Sequence, residues 1–332
     1  MQRRQYIGAV SSVISTVAVA GCTGGSTGDG TNTGITRSTS TSSEEQKAAE
    51  HMELAGKALQ RAGEEISTQS EKFKDSEVES GSGLDFEPET IYDYLDTASE
   101  ELDQAEKHAS APQQEKISAA RGYISFARKM AEFLDVFAEA YTQTTSGFSY
   151  FRSERYSEAA EQLETAESTL SESDDILTVV QDRQEQLDTE LLDEVSEVEV
   201  ESIKTELTAV DEVLPALSAL ASGIRQLSLG LVDFEEATTQ IENDQYADAE
   251  SSYDRSVDHF TTSETTFKDR ENTVPDSMKT TFIELTCYGG ALKDGARHLR
   301  EACAALNNGN DSRASTETEK AKEALDRCNF DN

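Results

Sequence analysis

From Ser43 onward, apolar residues recur at three- and four-residue spacing, the pattern of helices that bury one face. One such stripe runs from Tyr246 to Phe267 and another from Met278 to Leu306. This region shows no run of alternating apolar and polar residues of the kind that is typical of a half-buried strand. The pattern therefore predicts an all-α fold.

Helix-breaking residues divide the region into about eight predicted helices. The interruptions are Ser80-Gly81-Ser82-Gly83, Pro88, Ala111-Pro112, Arg152-Ser153-Glu154, Asn243-Asp244, Asn272 to Pro275 and Asn307 to Asn310. Short connections favour antiparallel neighbours, arranged either as stacked hairpins or as an irregular bundle. We expect one all-helical domain over residues 44–330.

Three of these turns carry a weak internal repeat of small and larger residues at matching offsets. The first copy contains Gly147, Tyr150, Ala159 and Ala166, and further copies follow around Tyr246 and Asp311. The first copy resembles a tetratricopeptide repeat, although the copies stand 90 and 65 residues apart instead of about 34. The resemblance implies tetratricopeptide-like helical hairpins, while Ala-rich antiparallel helices in any bundle could converge on the same pattern.

The N-terminus has the features of an export signal. Arg3 and Arg4 precede a weakly apolar run of 14 residues, Ile7 to Ala20, which ends at Gly21-Cys22. A permanent membrane span needs roughly 20 apolar residues, so we expect cleavage. The segment resembles the twin-arginine signal and lipobox of a lipoprotein. The resemblance implies an export signal over 1–21, a lipid on Cys22 and anchoring at the extracellular face of the cell membrane.

The residues after Cys22 predict a flexible linker over 22–43. Of the 21 residues from Thr23 to Ser43, 12 are Ser or Thr and five are Gly. Such a composition cannot bury enough apolar surface to offset the entropy of ordering, so the segment is expected to be a disordered tether. Its random-coil reach is roughly 25 Å.

The acidic charge is extreme and spread along the whole chain. Sixty-six Asp and Glu residues face 29 Lys and Arg, for a formal net charge of −37. This sign excludes nucleic acid as a partner. A cation-binding function or a disordered acidic tail could also explain a large negative charge. The diffuse distribution, with only 13 lysines, instead resembles the halophilic proteins of salt-loving archaea, in which molar salt screens the self-repulsion.

Motifs for catalysis or metal binding are absent from the sequence. The four histidines, His51, His108, His259 and His298, lie far apart, and none has a Glu three residues before it. There is neither a phosphate-binding glycine loop nor a nucleophile elbow. We therefore expect no enzyme, no cofactor and no metal site, and we expect each histidine to be a surface or half-buried helix residue.

The cysteines and one sequon single out the last helical hairpin. If two antiparallel helices meet at Asn307 to Asn310, Cys287 and Cys328 lie at nearly the same height. A disulfide between them is then within reach, unless Cys287 points to the flank while Cys328 faces the core. Cys303 falls on the apolar stripe and is expected to be a small buried hydrophobe. Asn310 begins the sequon Asn310-Asp311-Ser312, a candidate N-glycosylation site in the same turn.

Two classes of function fit these observations. The first is a cell-surface, lipid-anchored interaction module that offers a groove between hairpins to a peptide or a membrane-complex partner. The second is a lipoprotein that captures a solute or metal ion for a transporter. An exposed apolar groove would favour the first, and a polar pocket with converging acids or histidines would favour the second.

The charge analysis predicts salt-dependent folding. Lowering the salt concentration from about 1 M to about 0.1 M lengthens the Debye length from about 3 Å to about 10 Å, so acidic neighbours begin to repel each other. We expect a loss of helical circular dichroism and a lower melting temperature at low salt. Full helicity with an unchanged melting temperature at low salt would contradict the interpretation of the charge as an adaptation to salt.

Overall fold

The computed structural model describes residues 43–75, 86–196 and 200–328, and these residues form helices without strands. The all-α prediction is therefore confirmed. The helices are α1 (Ser43–Asp75), α2 (Glu89–Glu106), α3 (Ala111–Arg152), α4 (Tyr156–Glu185), α5 (Thr189–Asp193), α6 (Val200–Glu242), α7 (Tyr246–Arg270), α8 (Asp276–Asn307) and α9 (Asp311–Leu325). The export signal, Cys22 and residues 23–42 of the predicted tether lie outside the described residues, as does the break predicted at 80–83. Ser43, assigned to the tether, is the first residue of α1.

Apart from the short α5, which packs on α3, each helix packs against the next one along the chain, from α1 and α2 to α8 and α9. A continuous core of Ala, Leu and aromatic side chains runs from α1 to α8. Its largest fully buried side chains include Tyr123, Phe133 and Phe260. An edge-to-face contact between Phe267 and Phe282, with ring centroids 5.7 Å apart, joins α7 to α8. Between α8 and α9 the core thins to a small cluster of alanines.

Three hairpins share one turn geometry. In each, a residue with positive φ separates two helices: Glu154 and Asp244 at 58° and Gly309 at 69°. The amide of the next residue then donates back to a carbonyl in the last turn of the preceding helix, as in Arg155 N to Tyr150 O at 3.0 Å. These turns coincide with the three copies of the internal repeat. Helical hairpins are thus present, whereas their likeness to tetratricopeptide repeats stays a prediction.

The helices of each hairpin approach closely at glycines that lie a multiple of seven residues before the turn. A glycine one, two or three heptads before the positive-φ residue faces a large apolar side chain on the next helix. The pairs are Gly147 with Leu163, Gly230 with Phe260, Gly223 with Phe267, and Gly295 with Leu325. A Cβ atom at Gly223 would lie 2.3 Å from Cζ of Phe267, and one at Gly230 would lie 2.5 Å from Cε1 of Phe260. The rings therefore occupy the space that side chains would fill.

The α6–α7 seam also has hydrogen bonds across it. Ser256 Oγ donates to the carbonyl of Gly230 at 2.7 Å, and Ser263 Oγ donates to the carbonyl of Gly223 at 2.8 Å. Both serines are buried, so an unpaired hydroxyl there would carry a desolvation cost. The seam thus repeats a serine and a phenylalanine on α7 against a glycine on α6.

One break was missed at the sequence level. No interruption is predicted between Tyr156 and Glu242, but α4 ends at Glu185 and α6 begins at Val200, with the short α5 between them. The segment contains neither Gly nor Pro. The local signal is Asp188, whose carboxylate accepts a hydrogen bond from Leu191 N at 3.1 Å and caps α5. Leu192 is then fully buried, and α5 packs on α3.

The end of this segment reaches back to α1 at Gly56. A Cβ atom at Gly56 would lie 2.1 Å from the carbonyl oxygen of Val195. Ser196 Oγ donates to the carbonyl of Gly56 at 3.4 Å. Packing between residues distant in the chain thus accompanies this break.

The Gly223 contact predicts an unusual response to an alanine in a helix. Gly223→Ala overpacks the seam against Phe267, at a cost of about 1–3 kcal/mol, which exceeds the gain in helix propensity of up to about 1 kcal/mol. We expect the free energy of unfolding, measured by chemical denaturation in molar salt, to fall by about 1–2 kcal/mol.

Gly122→Ala is the matched control, because the nearest atom to a Cβ there is Leu187 Cδ2 at 3.8 Å. This exposed helix position has room for the methyl group, so we expect a gain of about 0.5–1 kcal/mol. Equal responses of the two variants would show that the α6–α7 seam is not tightly packed.

Candidate functional site

The last hairpin contains four residues singled out in the sequence, the three cysteines Cys287, Cys303 and Cys328 and the sequon residue Asn310. A disulfide joins Cys287 to Cys328, with Cα atoms 5.9 Å apart. This is the pairing that the turn argument favours. Cys287 is half-buried and Cys328 is buried. The two side chains therefore differ in burial, but this difference does not prevent the bond.

Cys303 is free and buried on α8. Burial, together with the charge of Glu250, raises the pKa of the Cys303 thiol to about 11. The thiol therefore stays protonated near neutral pH, which suits a small apolar core residue rather than a nucleophile.

Asn310 is exposed and is the N-cap of α9. Its side-chain oxygen accepts a hydrogen bond from Arg313 N at 3.1 Å. An N-linked glycan is attached through the side-chain nitrogen, so the cap and a glycan use different atoms. Glycosylation of Asn310 stays a prediction.

The four histidines each contact an acidic residue of another helix. The nearest carboxylates are Glu101 for His51 at 2.6 Å, Glu44 for His108, Asp233 for His259 at 3.6 Å and Glu317 for His298 at 2.8 Å. All four are half-buried, as expected, although His108 lies in the connection after α2 rather than in a helix. The two residues of each pair are distant in the sequence and lie on different helices or next to their ends, so residue spacing does not reveal these contacts.

Within the described ranges, His298 belongs to a convergence of three possible metal-ligand atoms. His298 and Glu301 lie one turn apart on α8, and Glu317 comes from α9. One donor atom from each lies within 4.8 Å of the others. Their side chains are 21%, 35% and 7% exposed, respectively. The sequence search for a Glu three residues before a His missed this set, because here the Glu follows the His.

Two cations flank the cluster. Lys320 Nζ lies 2.8 Å from Glu317 Oε1, and Arg313 Nη2 lies 3.7 Å from Glu301 Oε2. Hydrogen bonds from Lys320 and His298 lower the pKa of Glu317. Glu317 is therefore a carboxylate that is buried, ionised at neutral pH and partnered on both oxygens.

A second polar network ties α6 to α7. Arg255 contacts Asp233 at 2.9 Å and Glu236 at 2.6 Å. His259 Nδ1 lies 2.8 Å from Gln226 Oε1, on the same side of the seam. A guanidinium that bridges two carboxylates is sufficiently explained as a structural tie, so this network is a weaker candidate for a binding site.

Exposed apolar surface is sparse in the part of the chain that the structure describes. Leu54, Val179 and Ile283 are its exposed large apolar side chains. They belong to α1, α4 and α8, which do not pack against one another closely. These residues therefore do not form the apolar groove expected for a peptide-binding array.

Comparison of the chain with protein-family models, with curated proteins and with solved structures found no match. Within the described ranges, no helix has both the length and the apolar character that crossing a bilayer requires.

The α8–α9 geometry predicts a local effect of the disulfide. The bond spans 41 residues, and removing such a loop closure costs about 4 kcal/mol in chain entropy. The buried residues of α9 are Ala314, Glu317 and Ala321, which give this helix little apolar anchoring. We expect the Cys287→Ser/Cys328→Ser variant to lose amide hydrogen-exchange protection throughout α9 while α3 keeps its protection.

Cys303→Ala is the control, because Cys303 is buried but forms no disulfide. It should retain protection in α9. Unchanged protection of α9 in the double variant would show that packing alone holds this helix.

Proposed function

We propose that this protein is a lipid-anchored interaction scaffold at the extracellular face of the cell membrane, where it binds a protein or peptide partner without catalysis. The supporting observation is the stacking of helical hairpins in chain order. Arrays of this kind offer long continuous surfaces to partners. The 42 residues of α3 alone extend about 63 Å at 1.5 Å per residue.

The surface favours a partner that binds through charged and polar contacts. Exposed apolar side chains are few and scattered, whereas carboxylates are abundant along the chain. A complementary partner surface would carry basic or hydrogen-bonding side chains. In molar salt such attraction acts only at direct contact, since the Debye length is about 3 Å.

The alternative is a lipoprotein that captures a solute or a metal ion for a transporter. One observation favours it, the convergence of His298, Glu301 and Glu317. The cluster contains one histidine, and the other three histidines each contact a carboxylate elsewhere in the structure. This cluster meets the criterion set for the alternative, whereas the described residues form no apolar groove of the kind that would favour the scaffold. We place the scaffold first because the hairpin packing extends from α1 to α9, whereas the cluster belongs to one hairpin.

Anchoring is tested by Cys22→Ser. If Cys22 carries the lipid, the variant should leave the membrane fraction or remain unprocessed, as measured by fractionation and intact mass. Replacing Arg3 and Arg4 by Lys should block export if the twin-arginine route is used. Membrane retention with normal cleavage of Cys22→Ser would rule out the lipid anchor.

Binding is tested by zero-length carboxylate-to-amine crosslinking on intact cells at native salt, followed by mass spectrometry. A scaffold should give recurrent links from neighbouring helices to lysines of one partner, and Cys22→Ser should lose them. Links confined to this chain, or to abundant proteins without recurrence, would count against the scaffold.

A further inference from the structure

The His298–Glu301–Glu317 cluster has the donor set of a metal site. We propose that these three side chains bind one divalent transition-metal ion of the Zn²⁺ class between α8 and α9. The proposal is independent of the scaffold function. It concerns a site that the spacing of residues along the sequence does not reveal.

The separations of the donor atoms fit one ion. Zn²⁺ binds imidazole nitrogen and carboxylate oxygen at about 2.0–2.2 Å, so two ligands of one ion lie at most about 4.4 Å apart. The three donor atoms already lie within 4.8 Å of one another. Small side-chain rotations are enough to close the remaining difference.

The donor chemistry selects the class of ion. One imidazole with two carboxylates suits Zn²⁺ and related transition metals, whereas Ca²⁺ and Mg²⁺ prefer oxygen ligands alone. Three protein ligands leave a fourth position for water or for a donor atom of a bound solute.

The hairpin holds the ligands in register. His298 lies as many residues after Cys287 as Glu317 lies before Cys328, so this pair and the disulfide occupy equivalent levels of one antiparallel pair. The Gly309 turn closes the other end. Glu317 is nine-tenths buried, which restricts its rotation. Ligands that are held in place by packing lose less entropy when they bind.

The neighbouring cations are compatible with the site. An ion would contact Glu317 through Oε2, which now lies 2.8 Å from His298 Nδ1. Lys320 would keep Oε1, where it lies at 2.8 Å, and hydrogen-bonded carboxylates of this kind are usual among metal ligands. Arg313 is well exposed and 3.7 Å from Glu301, so it can move away from Glu301.

The other histidines provide an internal comparison. His259 also pairs with a carboxylate across a helix seam, at 3.6 Å from Asp233. Among the residues that the structure describes, however, only the His298 group brings three such donors together. His259 is therefore also a half-buried histidine beside a carboxylate of another helix, but it lacks a third ligand.

The test is titration of the metal-free full chain with ZnCl₂ against a chromophoric chelator, at about 1 M KCl. High salt screens diffuse attraction of cations to the acidic surface, but it does not remove direct coordination. We expect one saturable Zn²⁺ site per chain. His298→Gln and Glu301→Gln should each weaken binding at least tenfold, whereas His259→Gln should leave it unchanged.

Glu301→Gln is the variant least expected to disturb folding, because Glu301 is partly exposed and glutamine has the same side-chain shape. A loss of Zn²⁺ affinity in this variant would therefore report the loss of a ligand. Helical circular dichroism of each variant, measured in parallel, identifies any loss of fold. Absence of a stoichiometric site, or equal Zn²⁺ affinity in wild type, His298→Gln and Glu301→Gln, would overturn the proposal and leave the cluster as an ion pair only.

Discussion

The close approach of helices at glycine positions is the constraint on which this stack depends. At Gly223 and Gly230 the rings of Phe267 and Phe260 lie too close to the backbone to leave room for a Cβ atom. Buried serine hydroxyls donate to the carbonyls of the same two glycines. Apolar burial and hydrogen bonding therefore act at one separation between the helices. A wider spacing would open cavities beside the rings and leave the hydroxyls unpaired, and both changes are costly in a close-packed core.

The turns convert this local contact into a repeated arrangement. The same positive-φ geometry at Glu154, Asp244 and Gly309 gives three hairpins the same starting register. Because a helix returns to nearly the same face every seven residues, glycines at heptad distances from the turn all face the partner helix. Only the third turn has a glycine at the positive-φ position. The other two accept the cost of a non-glycine residue there.

The last hairpin combines weak apolar packing with strong constraints of other kinds. The small alanine cluster between α8 and α9 contributes little burial, but a disulfide joins Cys287 within α8 to Cys328 just after α9. His298 and Glu317 meet at an equivalent level. This arrangement keeps an ionised, buried carboxylate in a fixed position next to an imidazole. Among the described residues, this is the one group that brings three possible metal-ligand side chains together.

The sequence by itself determined the helical class, the turns at Glu154, Asp244 and Asn310, and the matching level of Cys287 and Cys328, which needs only helix rise and turn position. These features depend on local periodicity and on distances along one hairpin. Tertiary structure decided the break before α6, where Leu192 is buried and Val195 reaches Gly56. It also decided the His298–Glu301–Glu317 convergence, because rotation about the axes of α8 and α9 places the side chains. Such rotation follows from packing across the whole seam, which local spacing does not specify.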